Sequence, residues 1–335
     1  MILSVLDLSI VSGGQTQAEA LRDTLTTAKA AERLGYHRFW VSEHHNIAGV
    51  ASPGPEIVLA ALTQVTSTIR LGSGGVMLVN HSPLKVAEVF MALEALAPGR
   101  IDLGLGRALG TDMRTGAALR SAGSEAFPHY FALLCAWILD AAGKEIIGAD
   151  HPLHSVRAQP TGPSHPAVFV LCSSADSARL AGEAGVGMVY SEFIAQSEGG
   201  PAVEAYHAAF RASPFQEKPW AGVAVHALAA PTAEEARRLD GPRRAAQLVM
   251  ASGGGRRFTD VDEAQAFLAG FAGDPRLAAI EARSIAADPV GVRAQLANKA
   301  RRAGADEVFI LATGPTLADR IRSLELIKAA ESAQP

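Results

Sequence analysis

The chain has 335 residues, 48% of them hydrophobic, which is enough for one sizeable core. A formal net charge of −4 gives no basic field for nucleic acid, and no apolar run reaches the roughly eighteen residues of a membrane span. Cys135 and Cys172 lack metal-ligand spacing, and the start at Met1 has no positive segment of a signal peptide, so a cytoplasmic protein with free thiols is expected.

Residues 2–9 read as a first strand, followed by a loop with Gly13 and Gly14. Across 16–34 apolar and small residues recur at helical spacing, and Gly35 stands where a helix C-cap belongs. A second strand covers 37–43, and a helix over 55–67 leads to a third strand beginning at Arg70. There Gly72, Gly74 and Gly75 fall within four residues. Glycine inside a strand marks a bulge or a place where a ligand nears the backbone, and the pattern leaves both open. A helix over 83–96 opens on Pro83, whose missing N–H costs nothing in a first turn, and Pro98-Gly99 breaks it. Residues 101–107 form a fourth strand, followed by a longer loop over 108–124 and a helix over 128–142. The stretch 143–166, rich in Pro, His and Gly, reads as an irregular surface excursion. Strands over 167–172, 187–191, 220–229 and 306–312 follow, with helices over 175–184, 201–212 and 317–331.

A weak repeat runs through this order. Leu34-Gly35-Tyr36, Ala184-Gly185-Val186 and Ala303-Gly304-Ala305 each end a helix on glycine and precede a short apolar strand. That is the αβ half of a parallel βαβ unit. Eight such strands predict an α/β fold, a (β/α)8 TIM barrel, in one domain over 1–335. The segment 233–289 is too long for one helix and carries Gly253-Gly254-Gly255-Arg256-Arg257. It is expected as a helical insertion after the seventh strand with a mobile loop, a lid.

The working face of such a barrel lies at the C-terminal ends of its strands. Those ends hold Asp7, Glu43 to His45, Ser73 to His81, Arg107 to Asp112, Ser173 to Ser177, and Ser191 with Glu192. Arg107 can pair with a phosphate or with Asp112. Ser173, Ser174 and Ser177 join a strand to a helix, where N–H groups and hydroxyls meet an anion; Ser174 can equally be an ordinary N-cap. Gly104-x-Gly106 is a weak dinucleotide signal, because the third glycine is misplaced. Strand alternation puts Trp40, Ser42 and His44 on one face and Phe39, Val41 and Glu43 on the other. His44 suits an acid, a base or a hydrogen-bond donor, or a structural histidine. No metal site is expected, since adjacent strand-end histidines diverge and no third ligand has supporting spacing.

Several long motifs fall together in order. They are Arg38-Phe39-Trp40-Val41-Ser42-Glu43-His44-His45, the run from Ile69 to Pro83, and the run from Pro98 to Arg107 with Gly110-Thr111-Asp112; Gly304-Ala305-Asp306-Glu307 follows near the end. With these the chain resembles the bacterial luciferase-like family of flavin-dependent monooxygenases. The resemblance is dense over roughly the first 125 residues and patchy beyond. It implies a barrel, usually a homodimer, that binds FMN at the strand ends. Gly74-Gly75 matches a non-prolyl cis peptide beneath the flavin, with Ser73 beside it. Arg107, Ser174 and Ser177 match the phosphate contacts, and Ser173 stands where the family has an acidic residue. His44 matches the active-site base. The implied chemistry takes reduced FMN from a separate flavin reductase and uses O2 to oxidise a small organic substrate that no motif identifies. Light emission is not implied. A deazaflavin-dependent hydride-transfer dehydrogenase on the same barrel is the alternative. A non-catalytic flavin-binding protein is a third reading, against which His44 and Arg107 argue.

Overall fold

Short apolar strands that are buried on both faces alternate with capped helices, and this pattern dictates a closed parallel sheet. The computed structural model describes residues 1–144, 146–195 and 197–331; position 145 of the expected irregular stretch and the last four of the expected domain lie outside them. The first half runs β1 (Ile2–Asp7), α1 (Gln17–Arg33), β2 (Arg38–Val41), α2 (Pro55–Thr63), β3 (Arg70–Met77), α3 (Pro83–Leu96), β4 (Ile101–Gly106), α4 (Met113–Ala118) and α5 (Phe127–Ala141). Then come β5 (Ala167–Cys172), α6 (Ala175–Glu183), β6 (Gly187–Ser191), α7 (Glu192–Ala195), α8 (Gly200–Ala209) and β7 (Ala221–Ala229). The chain ends with α9 (Ala233–Leu239), α10 (Gly241–Ala251), α11 (Val261–Ala269), α12 (Pro275–Ala282), β8 (Ile285–Ala287), α13 (Pro289–Ala303), β9 (Glu307–Ala312) and α14 (Leu317–Ala329).

Parallel pairing runs in order from β1 to β7, then β7 to β9 and β9 back to β1, which closes eight strands into a TIM barrel. The ninth strand, β8, was not expected. It pairs only with the tail of β7, at Ala227 to Ala229, beyond the closed ring. The insertion after β7 is helices α9 to α12 with this strand. It has its own apolar cluster, including Leu248, Phe258, Leu268 and Ile280.

Alternation sorts the strand residues into two cores. One faces the helices; the other fills the barrel with Leu6, Trp40, Phe169, Val189, Ala224, Phe309 and Leu311. Trp40 sits 4.4 Å from Phe309 and 5.1 Å from Phe169, ring centre to ring centre. Below them the barrel is closed by charge. Arg38 donates to Asp102 at 2.8 Å and to Glu307 at 3.2 Å, Trp40 Nε1 donates to Asp102 at 2.9 Å, and Ser4 donates to Glu307. No helix among the described residues is long and apolar enough to cross a membrane.

Candidate active site

The strand ends of β2 to β5 carry the residues singled out from the sequence. After β2, His44 is half-buried, with Nδ1 3.1 Å from Ser42 Oγ. Its backbone N–H donates to Ser52 O at 2.9 Å, and Ser52 Oγ donates to Ser42 O at 2.6 Å, so the strand end is fastened on both sides. Burial pushes the His44 imidazole below its ordinary range, more than the Glu43 charge raises it. The ring is therefore neutral near pH 7 and can accept a proton.

Glu43 faces the other way, as alternation requires, and is fully buried. Its Oε1 meets His45 Nε2 at 2.8 Å and His81 Nε2 at 2.9 Å, while Oε2 accepts from Met77 N at 2.9 Å. Burial opposes ionisation here, yet the hydrogen bonds from His81, His45 and Met77 win and hold the carboxyl below its usual range. One carboxylate thus ties the ends of β2 and β3 together. Its role had no local motif, because His81 is 38 residues away.

In β3 the Gly74–Gly75 peptide is cis, and the register with β4 shifts between Gly74 and Val76. Ser73 is buried; its Oγ donates to Gly104 O at 2.8 Å and accepts from Gly104 N at 3.1 Å. A Cβ on Gly75 would lie 2.7 Å from Gly104 O, and one on Gly74 would lie 2.6 Å from Leu6 Cδ1. The backbone of β4 therefore requires glycine at Gly75, whereas at Gly74 the close atom is the tip of the Leu6 side chain. The register shift at Gly74–Val76 is the bulge that the sequence allowed.

Arg107 follows β4 and is exposed, with Nε donating to Ser124 O at 3.3 Å. No ion pair joins it to Asp112 among the described residues. Asp112 instead caps α4, accepting from the N–H groups of Arg114 at 2.9 Å and Thr115 at 3.0 Å. That cap is why a helix interrupts the loop expected over 108–124. On the adjacent strand Ser173 and Ser174 are exposed and Ser177 is buried. Ser174 is the N-cap of α6, and its Oγ lies 3.0 Å from Ser177 Oγ. Because β4 and β5 pair, the Arg107 guanidinium and this helix N-terminus belong to neighbouring strand ends.

The polar set at the strand ends is not all turned to the barrel mouth. Asp7 faces α1 and α14, where its carboxylate accepts from Ser9 N at 2.5 Å, and Glu192 binds Lys299 Nζ at 2.8 Å. Two inward residues went unnoticed in the sequence. His226 alternates with Ala224 on the interior face of β7, 5.7 Å from the Phe193 ring, and its Nδ1 has no partner. Burial first, and the Arg243 charge second, keep it neutral. A lone ionisable residue in an otherwise apolar strand was the available signal. Thr313, just beyond β9, is 4% exposed with an unpartnered Oγ1.

A cavity of about 640 Å³ opens between the loops after β1, β2 and β9 and the insertion's α10 and glycine-rich loop. None of the expected contact residues lines it; Asn46, two positions after His44, does. Arg257 spans the gap, donating to Ala48 O at 3.0 Å and to Val11 O. No group of three or more His, Cys, Asp or Glu suited to a metal ion occurs among the described residues.

The family profile described as luciferase-like monooxygenase matches residues 1–318. The chain therefore belongs to the luciferase-like monooxygenase family, and it is an oxidoreductase enzyme of that barrel fold. A luciferase-like monooxygenase of Escherichia coli (strain K12) is 40% identical over 239 residues, 70% of this chain and 69% of the relative. An N-acetyl-S-alkylcysteine monooxygenase of Bacillus subtilis (strain 168) is 36% identical over 270 residues, 79% of each chain. The crystal structure of apo-MsnO8 matches with a TM-score of 0.87 at 34% identity, over 100% of this chain and 98% of that one. Two more distant structures share the fold alone. One is the oxygenating constituent of 3,6-diketocamphane monooxygenase from Pseudomonas putida in complex with FMN (TM-score 0.71, 18% identity, 98% and 97% of the two chains). The other is an F420-dependent secondary alcohol dehydrogenase (0.68, 15%, 98% and 97%).

Proposed function

We propose that the protein is a monooxygenase that uses reduced FMN, supplied by a separate flavin reductase, and O2 to oxidise a small organic substrate. The observation that carries this reading is the donor set at the ends of β4 and β5. An exposed guanidinium with no carboxylate partner among the described residues follows β4, next to a helix N-terminus bearing two exposed serines after β5. Cation, hydroxyls and backbone N–H groups together fit a phosphate monoester, which is the anionic end of FMN.

In this reading Arg107, Ser173, Ser174 and Ser177 hold the phosphate, and Ser73, Gly74 and Gly75 line the place of the ring. Bound reduced FMN would supply the electrons that activate O2. His44, neutral and fixed through Ser42 and Ser52, accepts or returns a proton at its second ring nitrogen. The insertion acts as the lid that keeps water from the reacting groups, with Arg257 as its fastening to the barrel loops.

Titrating the purified protein with FMN and with a deazaflavin, and following fluorescence quenching, tests the cofactor. Quenching by FMN at lower concentration supports the proposal; preference for the deazaflavin replaces it with the hydride-transfer reading. Oxygen consumption with a flavin reductase present then tests whether O2 is the second substrate.

A further inference from the structure

The cavity beneath the insertion has the size of a small-molecule site and mostly apolar walls, with Leu8, Ile10, Val50, Leu239, Met250 and Phe258 among them. Its charges are unequal. Three arginines line it, Arg243, Arg256 and Arg257. Asp240 neutralises Arg243 through two contacts of 2.6 Å, and Glu263 pairs with Arg256. Asp240 also accepts from Ser284 Oγ at 2.8 Å, so its oxygens are engaged. Among the described residues Arg257 has two carbonyl partners and no carboxylate, and carbonyls accept its hydrogen bonds without cancelling its charge. Among the described residues the wall is therefore left with one uncompensated cation. Opposite the insertion, on the barrel side, stands Thr313, 4% exposed with no partner for Oγ1. A buried hydroxyl without a partner is costly, and a ligand atom in the cavity would supply one.

We propose that this cavity binds the organic substrate, and that the substrate has an apolar body and one carboxylate, the charge met by Arg257 and a polar atom met by Thr313. The inference rests on the monooxygenase reading, because it names the substrate class for a cavity on the same strand-end face, reaching Asn46 two positions after His44. It does not compete with the phosphate elements. The cavity adjoins β9, β1 and β2, whereas Arg107 and Ser174 follow β4 and β5, on the other side of the ring of strands.

Calorimetric titration of FMN-free protein with octanoate, octanamide and octylammonium tests it without turnover. Wild type should bind octanoate about tenfold more tightly than octanamide, the scale of a charge-assisted contact, and octylammonium most weakly. Arg257→Gln should bring the octanoate-to-octanamide ratio to about one. Arg257→Lys keeps the charge and should keep most of the preference. Thr313→Val should weaken octanoate about two- to tenfold. Equal binding of octanoate and octanamide by wild type overturns the proposal, as does a preference that survives Arg257→Gln. Loss of all three probes in both Arg257 variants also overturns it, because the side chain would then only fasten the insertion. A parallel FMN titration separates the two readings. Normal FMN binding without octanoate preference removes the substrate class alone, while octanoate preference without FMN binding removes the flavin reading and leaves the carboxylate site.

Discussion

At the N-terminal end of the barrel Arg38, Asp102, Glu307, Ser4 and Trp40 satisfy one another, whereas at the C-terminal end His226 and Thr313 keep buried polar atoms without partners. Both ends place polar groups in a low-dielectric interior, where an unpaired group is expensive. The closed end meets that cost with mutual ion pairs and hydrogen bonds. Arg70 adds a further pair, donating to Asp102 Oδ1 at 3.1 Å from its Nε. The open end leaves capacity unspent: a neutral His44, a neutral His226, a free hydroxyl on Thr313 and the exposed guanidinium of Arg107. The same eight strands thus hold a structural plug at one end and groups available to ligands at the other.

The largest effect should come from breaking the plug. Asp102→Ala leaves Arg38 Nη1 and the Trp40 indole N–H buried without their acceptor, with Glu307 still paired to Arg38 Nε. Removing one partner of a buried ion pair costs about 3–5 kcal/mol. Urea unfolding should show a loss of that size, with FMN affinity of the folded fraction unchanged. A loss under about 1 kcal/mol would mean that this end is no tighter than an ordinary surface pair.

At the open end His44→Ala should leave stability and FMN affinity near wild type and lower substrate-coupled oxidation by about 10²–10⁴. Because burial lowers the folded-state pKa below 6.5, the base form persists at neutral pH. The wild-type rate should fall only as pH drops below that value, and the fall should vanish in the variant. An unchanged acid limb would assign the titration to another group. Arg107→Ala should act on binding alone. The contact is worth roughly 1.5–3 kcal/mol, so FMN affinity should fall about ten- to a hundredfold while riboflavin, which has no phosphate, binds both proteins alike. Equal losses for the two ligands would make Arg107 part of the scaffold.

How legible each end was follows from how far its partners lie along the chain. The barrel was readable because each αβ unit is local: Gly304 ends α13 at φ 68° directly before β9, as the repeat predicted. That Trp40, Ser42 and His44 share a face followed from period-two alternation, and the packing of Trp40 on Phe169 and Phe309 shows that face to be the interior one. The plug was not readable. Arg38 meets Asp102 and Glu307 across 64 and 269 positions, and only closure of the ring brings them together. The cavity escaped for the same reason, since Arg257 reaches Ala48 and Val11 from more than two hundred residues away. His226 lay inside the stretch 220–229, read as the seventh strand without a site residue. The glycines of β3 were read as ambiguous, and the contacts a Cβ would make with Leu6 and Gly104 show why composition could not decide.

The smallest expected effect lies between the two ends, at the carboxylate that joins β2 to β3. The hydrogen bond to Glu43 raises His81 above its ordinary 6.5, against the opposing effect of burial. A histidine whose pKa is higher folded than unfolded contributes stability that is complete below the unfolded value and is lost as pH rises through the folded one. Glu43 has the opposite sign: its folded pKa lies below 4.5, so its contribution is present above that value and is lost as pH falls through the folded one. The pair therefore holds best between these ordinary values and weakens above 6.5. His81→Gln keeps an amide that can donate to Glu43 and cannot titrate. Melting temperature followed upward from pH 6.5 should decline less in this variant than in wild type, with the two converging at the alkaline end. Parallel curves would show that His81 does not carry the proton and that Glu43 is held by His45 and the Met77 N–H without it.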